Sequence, residues 1–266
     1  MIDRFGRKIN YLRISVTDKC NLRCGYCMPP EGINLLRHED ILSFEEIVEV
    51  ARAAVDMGVT KVRLTGGEPL VRRGIVSLVD KISDIEGIDD FAMTTNAVLL
   101  AEYADGLADA GLDRINISLD TTDAECFNRL TGGGDIHCVF AGIAAAGKAG
   151  LLPIKLNCVV SDFTTESDVE SVKKFGRENG FEVRIIRKMD FVNGSFWVIA
   201  GGSGGDCQRC NRLRLTSEGM VRPCLFSDIC FDVRKLGPVE AIRRAVADKP
   251  EAGGPCMHNW MGSIGG

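Results

Sequence analysis

The sequence predicts an α/β fold, an open partial (β/α)6 barrel of TIM-like type with a small C-terminal unit behind it. Three observations carry this. From residue 11 to 187 short β-branched runs alternate with helical stretches. Such alternation builds right-handed βαβ units around a parallel sheet. Six units are two short of a closed eightfold barrel, which leaves the barrel open. The alternation then stops after residue 189. A Rossmann-like open sheet is the competitor, but no Gly-x-Gly-x-x-Gly follows the first strand.

The elements read as follows. The first strand is the apolar run 11–16. A helix over 44–57 opens with Ser43 and Glu46 at capping-box spacing, and Gly58 follows it. Strand 61–65 leads to helix 75–85, and strand 91–95 to helix 101–110. Strand 114–119 is followed by a short helical piece at 123–130 and then helix 136–149. Strand 154–160 precedes helix 166–179, and strand 182–186 ends the series. Gly111, Gly150 and Gly180 close the third, fourth and fifth full helices where a left-handed residue ends a helix well. Residues 193–206 are Gly- and Ser-rich and read as a loop. Two short strands, 212–216 and 220–224, flank a turn at Ser217-Glu218-Gly219. Residues 238–247 form a last helix with Pro238 in its first turn. The domain boundary is expected at 1–189 and 190–266.

The bulk numbers fit a soluble globular chain: 266 residues, 45% hydrophobic and 26% charged. A net charge of −5 argues against broad nucleic-acid binding yet permits a local basic pocket. Residues 1–8 hold no apolar signal core, and the longest apolar stretch, 138–147, is too short to span a bilayer. A cytoplasmic location is therefore expected, with no membrane partner. Eleven cysteines there read as metal ligands and free thiols rather than disulfides.

The chemistry starts at Cys20-Asn21-Leu22-Arg23-Cys24-Gly25-Tyr26-Cys27, three thiols just after the first strand. A 4Fe-4S cube has four irons, so three cysteines leave one open to bind and reduce a substrate. The spacing differs from the ferredoxin run and lacks the distant second pair of a structural zinc site. Buried or zinc-bound thiols are the bland alternative. Other candidates gather where a parallel barrel collects function, at the C-terminal strand ends. Gly66-Gly67-Glu68-Pro69 follows the second strand, and Thr94, Thr95 and Asn96 end the third. Asn116, Ser118 and Asp120 end the fourth, Lys155 and Asn157 lie on the fifth, and Met189 follows the sixth. Gly-Gly-Glu-Pro alone also reads as a plain turn. A second set, Cys207-x2-Cys210-x13-Cys224, straddles the small hairpin, where a zinc ribbon is the alternative. Guanidinium forks bind phosphate bidentately. Arg13 and Arg63 sit inside apolar runs, whereas Arg72 and Arg73 read as ordinary surface arginines.

Cys-x3-Cys-x2-Cys with an aromatic residue before the last Cys resembles the signature of the radical S-adenosylmethionine (SAM) enzymes. The wider pattern resembles the GTP 3′,8-cyclase family of molybdenum-cofactor biosynthesis. It runs through Tyr11 to Asp18, Arg63 to Arg72, Thr94-Thr95-Asn96, Asn116 to Asp120, Lys155-Leu156-Asn157, Cys207 to Leu215 and the closing Gly265-Gly266. The resemblance implies two 4Fe-4S clusters, held by Cys20, Cys24 and Cys27 and by Cys207, Cys210 and Cys224. It implies SAM held by Tyr26, Gly66, Gly67, Glu68, Thr94, Asn96, Ser118 and Met189. Within this set, Gly66 and Gly67 would let the backbone approach the methionyl amino group. It implies GTP bound by Arg13, Arg63, Thr94, Lys155, Arg212, Arg214, Gly265 and Gly266, with Arg13, Arg63 and Lys155 catalytic. A flavodoxin or ferredoxin as electron donor follows, and a homodimer is compatible with it. Three departures stand against the family pattern. The segment before the second cysteine set is short, Arg187 replaces a Glu, and Cys230 and Cys256 are extra thiols. Either thiol could close the second cluster; buried free thiols are the alternative. Radical chemistry on another substrate, such as a peptide, and a non-enzymatic two-cluster carrier or zinc-binding module are the competing functions.

Overall fold

The computed structural model describes all residues except 29–31, 33, 203 and 258–266. Six parallel strands alternate with helices: β1 (Tyr11–Ser15), α1 (Phe44–Asp56), β2 (Lys61–Thr65), α2 (Ile75–Ser83), β3 (Asp90–Thr95), α3 (Leu100–Asp109), β4 (Arg114–Ser118), α4 (Ala124–Thr131), α5 (Ile136–Lys148), β5 (Lys155–Val160), α6 (Glu166–Asn179) and β6 (Glu182–Arg187). Then come β7 (Arg212–Leu215), β8 (Met220–Arg222), β9 (Phe231–Asp232), α7 (Val233–Leu236) and α8 (Pro238–Ala247). The order β6-β5-β4-β3-β2-β1-β7-β8-β9 forms one open, mostly parallel sheet. Among the described residues no helix is long and apolar enough to cross a membrane.

The helix ends follow local chemistry. Ser43 Oγ accepts from Glu46 N at 3.1 Å, and Glu46 Oε2 accepts from Ser43 N at 2.7 Å, completing the capping box. Thr165 and Asp168 build a second box ahead of α6. The boundary placed at residue 189 falls within a continuous sheet. β7 runs parallel to β1, with Tyr11 level with Arg212 and Arg13 level with Arg214. The strip β9 and the single-turn α7 are too short to have a sequence pattern.

Strand alternation sorts the sheet into two faces. Leu12, Ile14, Val62, Leu64, Met93, Ile115, Ile117, Leu156, Leu213 and Leu215 belong to the large core under the helices. Burying each such side chain is worth about 1.5–3 kcal/mol. The opposite parity faces inward to a cavity. Arg72, read as a surface group, is instead a tie. It donates to the carbonyl oxygens of Val16 and Leu42, and its guanidinium sits 4.4 Å from the Phe44 ring centroid.

Candidate active site

The inward residues of seven strands line one cavity of about 1610 Å³. Register puts Arg63, Arg13 and Arg214 on one rung across β2, β1 and β7, and Lys61, Tyr11 and Arg212 on the next. Adjacent strands lie about 4.8 Å apart, so these cations crowd one another. Burial, joined by the charge of Arg13, lowers the pKa of Arg63 to about 10 and of Arg214 to about 9. The guanidinium carbons of Arg63 and Arg212 each lie 5.5 Å from the Tyr11 ring centroid. The Tyr11 hydroxyl sits 3.4 Å from Arg13 Nη1. Arg63 Nε and Thr94 Oγ1 are buried and have no hydrogen-bond partner among the described residues. A rung of like charges suits a polyanion.

Both cysteine sets face this cavity. The loop carrying Cys20, Cys24 and Cys27 leaves the C-terminal end of β1. It rests on α4 through Arg23 N to Thr131 O (2.8 Å) and Gly25 N to Leu130 O (3.2 Å). The Tyr26 hydroxyl donates to Asp120 Oδ2 at 2.7 Å. Cys210 stands just before β7, and Cys224 follows β8, whose end returns alongside the start of β7. Burial pushes the thiols of Cys24 and Cys27 up to about 12 and 11, helped by the neighbouring sulfurs and Asp120. Burial also raises Cys224. Burial acts the same way on Cys210, but the Lys249 ammonium and nearby hydrogen bonds outweigh it and lower that thiol. Thiols so buried become good anions only against a metal. Zinc at ~2.3 Å from each sulfur would draw its ligands onto one point. Among the described residues no three Cys, His, Asp or Glu side chains converge that way. Three thiols at each set are the donor type that iron–sulfur clusters take.

Every expected site residue within the described part lines the cavity: Tyr26, Gly66, Gly67, Glu68, Thr94, Asn96, Ser118, Met189, Arg13, Arg63, Lys155, Arg212 and Arg214. Gly265 and Gly266 lie outside the described residues. The glycines have a steric necessity of their own. A Cβ on Gly67 would lie 2.3 Å from Lys19 O, and one on Gly66, at φ +154°, 2.6 Å from Thr17 O. Gly67 N and Glu68 N also donate to Thr17 O and Lys19 O, each at 2.8 Å. The Gly-Gly-Glu run therefore seats the loop that carries Cys20. Glu68 is buried, and burial pushes its pKa to about 7. It accepts from Thr95 Oγ1 (2.6 Å), Asn96 N (2.7 Å) and Leu70 N (3.0 Å). Lys155 Nζ is paired with Glu182 at 2.6 Å, and Arg184 Nε holds the same carboxylate at 2.8 Å.

Strand parity could have found Lys61, Tyr11, Arg114 and Arg184, which also line the cavity but were not singled out. Arg187, the last residue of β6, and Trp197, in the segment after it, lie 5.9 Å apart from guanidinium carbon to ring centroid and add a wall. Cys256 is buried beside Phe191, Leu225 and Phe226 in a small cluster that Cys224 packs against, whereas Cys230 is exposed.

Residues 14–176 match the family described as the Radical SAM superfamily. The chain is 43% identical to the GTP 3′,8-cyclase of Geobacter sulfurreducens, over 96% of this chain and 94% of that protein. It is 42% identical to the GTP 3′,8-cyclase of Thermodesulfovibrio yellowstonii, over 89% and 88%. The first alignment runs 306 positions against 266 residues, so it includes positions that this chain lacks. Among solved structures, Streptococcus suis SuiB bound to S-adenosylmethionine is similar at TM-score 0.68 and 16% identity, covering 91% of this chain and 64% of that one. Native anSMEcpe with bound AdoMet and Kp18Cys peptide gives 0.61 and 16%, covering 91% and 81%. At those identities the likeness speaks for the fold alone.

Proposed function

The chain belongs to the radical SAM superfamily and, within it, to the GTP 3′,8-cyclases, and we propose that it converts GTP to 3′,8-cyclo-7,8-dihydro-GTP in molybdenum-cofactor biosynthesis. One observation carries this reading. Two cysteine triplets face a single cavity, and between them runs a rung of arginines.

Cys20, Cys24 and Cys27 would hold one 4Fe-4S cluster, and Cys207, Cys210 and Cys224 the other. When bound, the first cluster with SAM would supply one-electron radical chemistry, a 5′-deoxyadenosyl radical able to take hydrogen from the ribose 3′ carbon of GTP. The protein's own residues bind, orient and exclude water. Arg13, Arg63, Arg212 and Arg214 receive the triphosphate and base, and the incoming anion relieves their mutual repulsion. Lys155, paired with Glu182, lines the same cavity and adds a cation for the substrate. Gly66, Gly67, Thr94, Asn96, Ser118, Tyr26 and Met189 line the SAM end of the cavity. The apolar group Phe191, Leu225 and Phe226, with Phe196 packed against it, walls the other end and excludes water. The electron comes from a donor of flavodoxin or ferredoxin type.

A second substrate class has one specific point in its favour: Arg187 and Trp197, in contact with each other, put a cation and an indole on the cavity lining beside the arginine rung. The test is anaerobic reconstitution with SAM, a reductant and GTP. Formation of 5′-deoxyadenosine together with the cyclised nucleotide is expected. Deoxyadenosine without loss of GTP would favour the second class. No SAM cleavage would overturn both.

A further inference from the structure

Lys249 lies two residues beyond α8, where a lysine ordinarily keeps its head in water. Here it is 1% exposed. Its Nζ donates to Arg212 O at 2.8 Å and to Pro223 O. Arg212 comes two residues after Cys210, and Pro223 immediately precedes Cys224. One ammonium therefore ties the two backbone points from which these cysteines hang. The following residues tie the third. Arg7 Nη2 donates to Pro250 O at 2.6 Å, and Arg7 Nη1 to Glu251 O at 2.8 Å and to Cys207 O at 2.7 Å. Segment 249–251 thus anchors the whole second set.

A buried ammonium is costly unless acceptors and anions compensate it. Arg7 has the Asp3 carboxylate at 2.6 Å. Beside Lys249 the negative groups are instead the sulfurs of Cys210 and Cys224, and the like charge is Arg7. We infer that Lys249 is a positioning residue for the second cluster, clamping its cysteine-bearing strands and favouring the more negative, reduced cluster through a fixed positive charge. This rests on the cluster assignment proposed above.

The test uses the full-length chain carrying Cys20→Ala, Cys24→Ala and Cys27→Ala, reconstituted without oxygen, so that the second cluster is the sole iron–sulfur signal. Iron per chain and the midpoint potential are read by mediated electron-paramagnetic-resonance titration. Lys249→Met should disfavour the reduced state at least tenfold, ~59 mV for one electron. Lys249→Arg should stay within threefold of the parent. Equal midpoints at full iron in parent and Lys249→Met overturn the inference, and so do equal shifts in the Met and Arg variants. If Lys249→Met does not fold, Lys249→Gln is read in its place against the same limits. Iron lost from Met and Gln but kept in Arg supports the inference; iron lost from all three overturns it. A parent triplet that binds no iron would overturn the cluster assignment itself, a distinct outcome.

Discussion

Gly67→Ala should unseat the first cysteine loop. The added carbon would sit 2.3 Å from Lys19 O, 2.7 Å from Lys19 C and 2.8 Å from Asp18 O. All three are backbone atoms, so no flexible side chain can swing aside. The loop is also pinned by Gly67 N to Thr17 O, Glu68 N to Lys19 O, and Leu36 N to Asp18 Oδ2 at 2.6 Å. Overpacking of this kind costs about 1–3 kcal/mol. Losing two of the backbone bonds adds about 0.5–1.5 kcal/mol each. The sum is a large part of a typical domain's stability and corresponds to a Tm fall of roughly 10 °C. Calorimetry gives the Tm, and iron analysis after anaerobic reconstitution gives the loading. The expected result is a lower Tm with iron lost at the first triplet and kept at the second. Gly147→Ala is the control, because a carbon there meets open space within α5. It should raise stability by about 0.5–1 kcal/mol. A Gly67→Ala protein with parental Tm and parental iron would refute the steric reasoning.

Other expectations follow from the same geometry. Arg63→Met removes a buried charge-assisted contact worth about 1.5–3 kcal/mol, so GTP binding measured by calorimetry should weaken by roughly 10- to 100-fold; unchanged affinity would remove Arg63 from the phosphate site. Tyr26→Phe takes the hydroxyl from buried Asp120 and should cost about 1–3 kcal/mol in urea unfolding. Asp168 is buried, which alone would raise its pKa, but hydrogen bonds from Thr165 and Thr121 prevail and hold it at about 2. A depressed carboxylate stabilises the fold above its unfolded pKa near ~3.8 and loses that contribution as the pH falls toward 2. The loss amounts to about 2 kcal/mol, and Asp168→Asn should flatten that part of the stability–pH curve.

The six barrel strands were legible because β-branched runs of period 2 and glycine stops agree with each other along the chain. The same parity made Arg13 and Arg63 stand out, since a charge inside an apolar run must face something polar. The partner of β7 was not legible, because its pairing with β1 joins residues about two hundred apart and no local pattern encodes it. The close seat under Gly67 was hidden for the same reason: Gly-Gly reads as a turn until the opposing backbone is known. Lys249 was invisible in a different way. A lysine just past a helix end looks solvated, and only the fold buries it. Arg72 was misread as surface because its acceptors, Val16 O and Leu42 O, come from distant loops.

Because β1 and β7 run side by side, one strand measures the gap between the chain's two metal-bearing ends. Five residues of β1 cover roughly 16 Å, a length on the scale of an extended nucleotide. That gauge cannot be tuned continuously. One inserted residue would rotate Arg13 into the hydrocarbon interior, whereas two would preserve its orientation and lengthen the reach by about 6.6 Å. Any descendant of this scaffold that adopts a longer or shorter molecule by this route must therefore do so in paired steps.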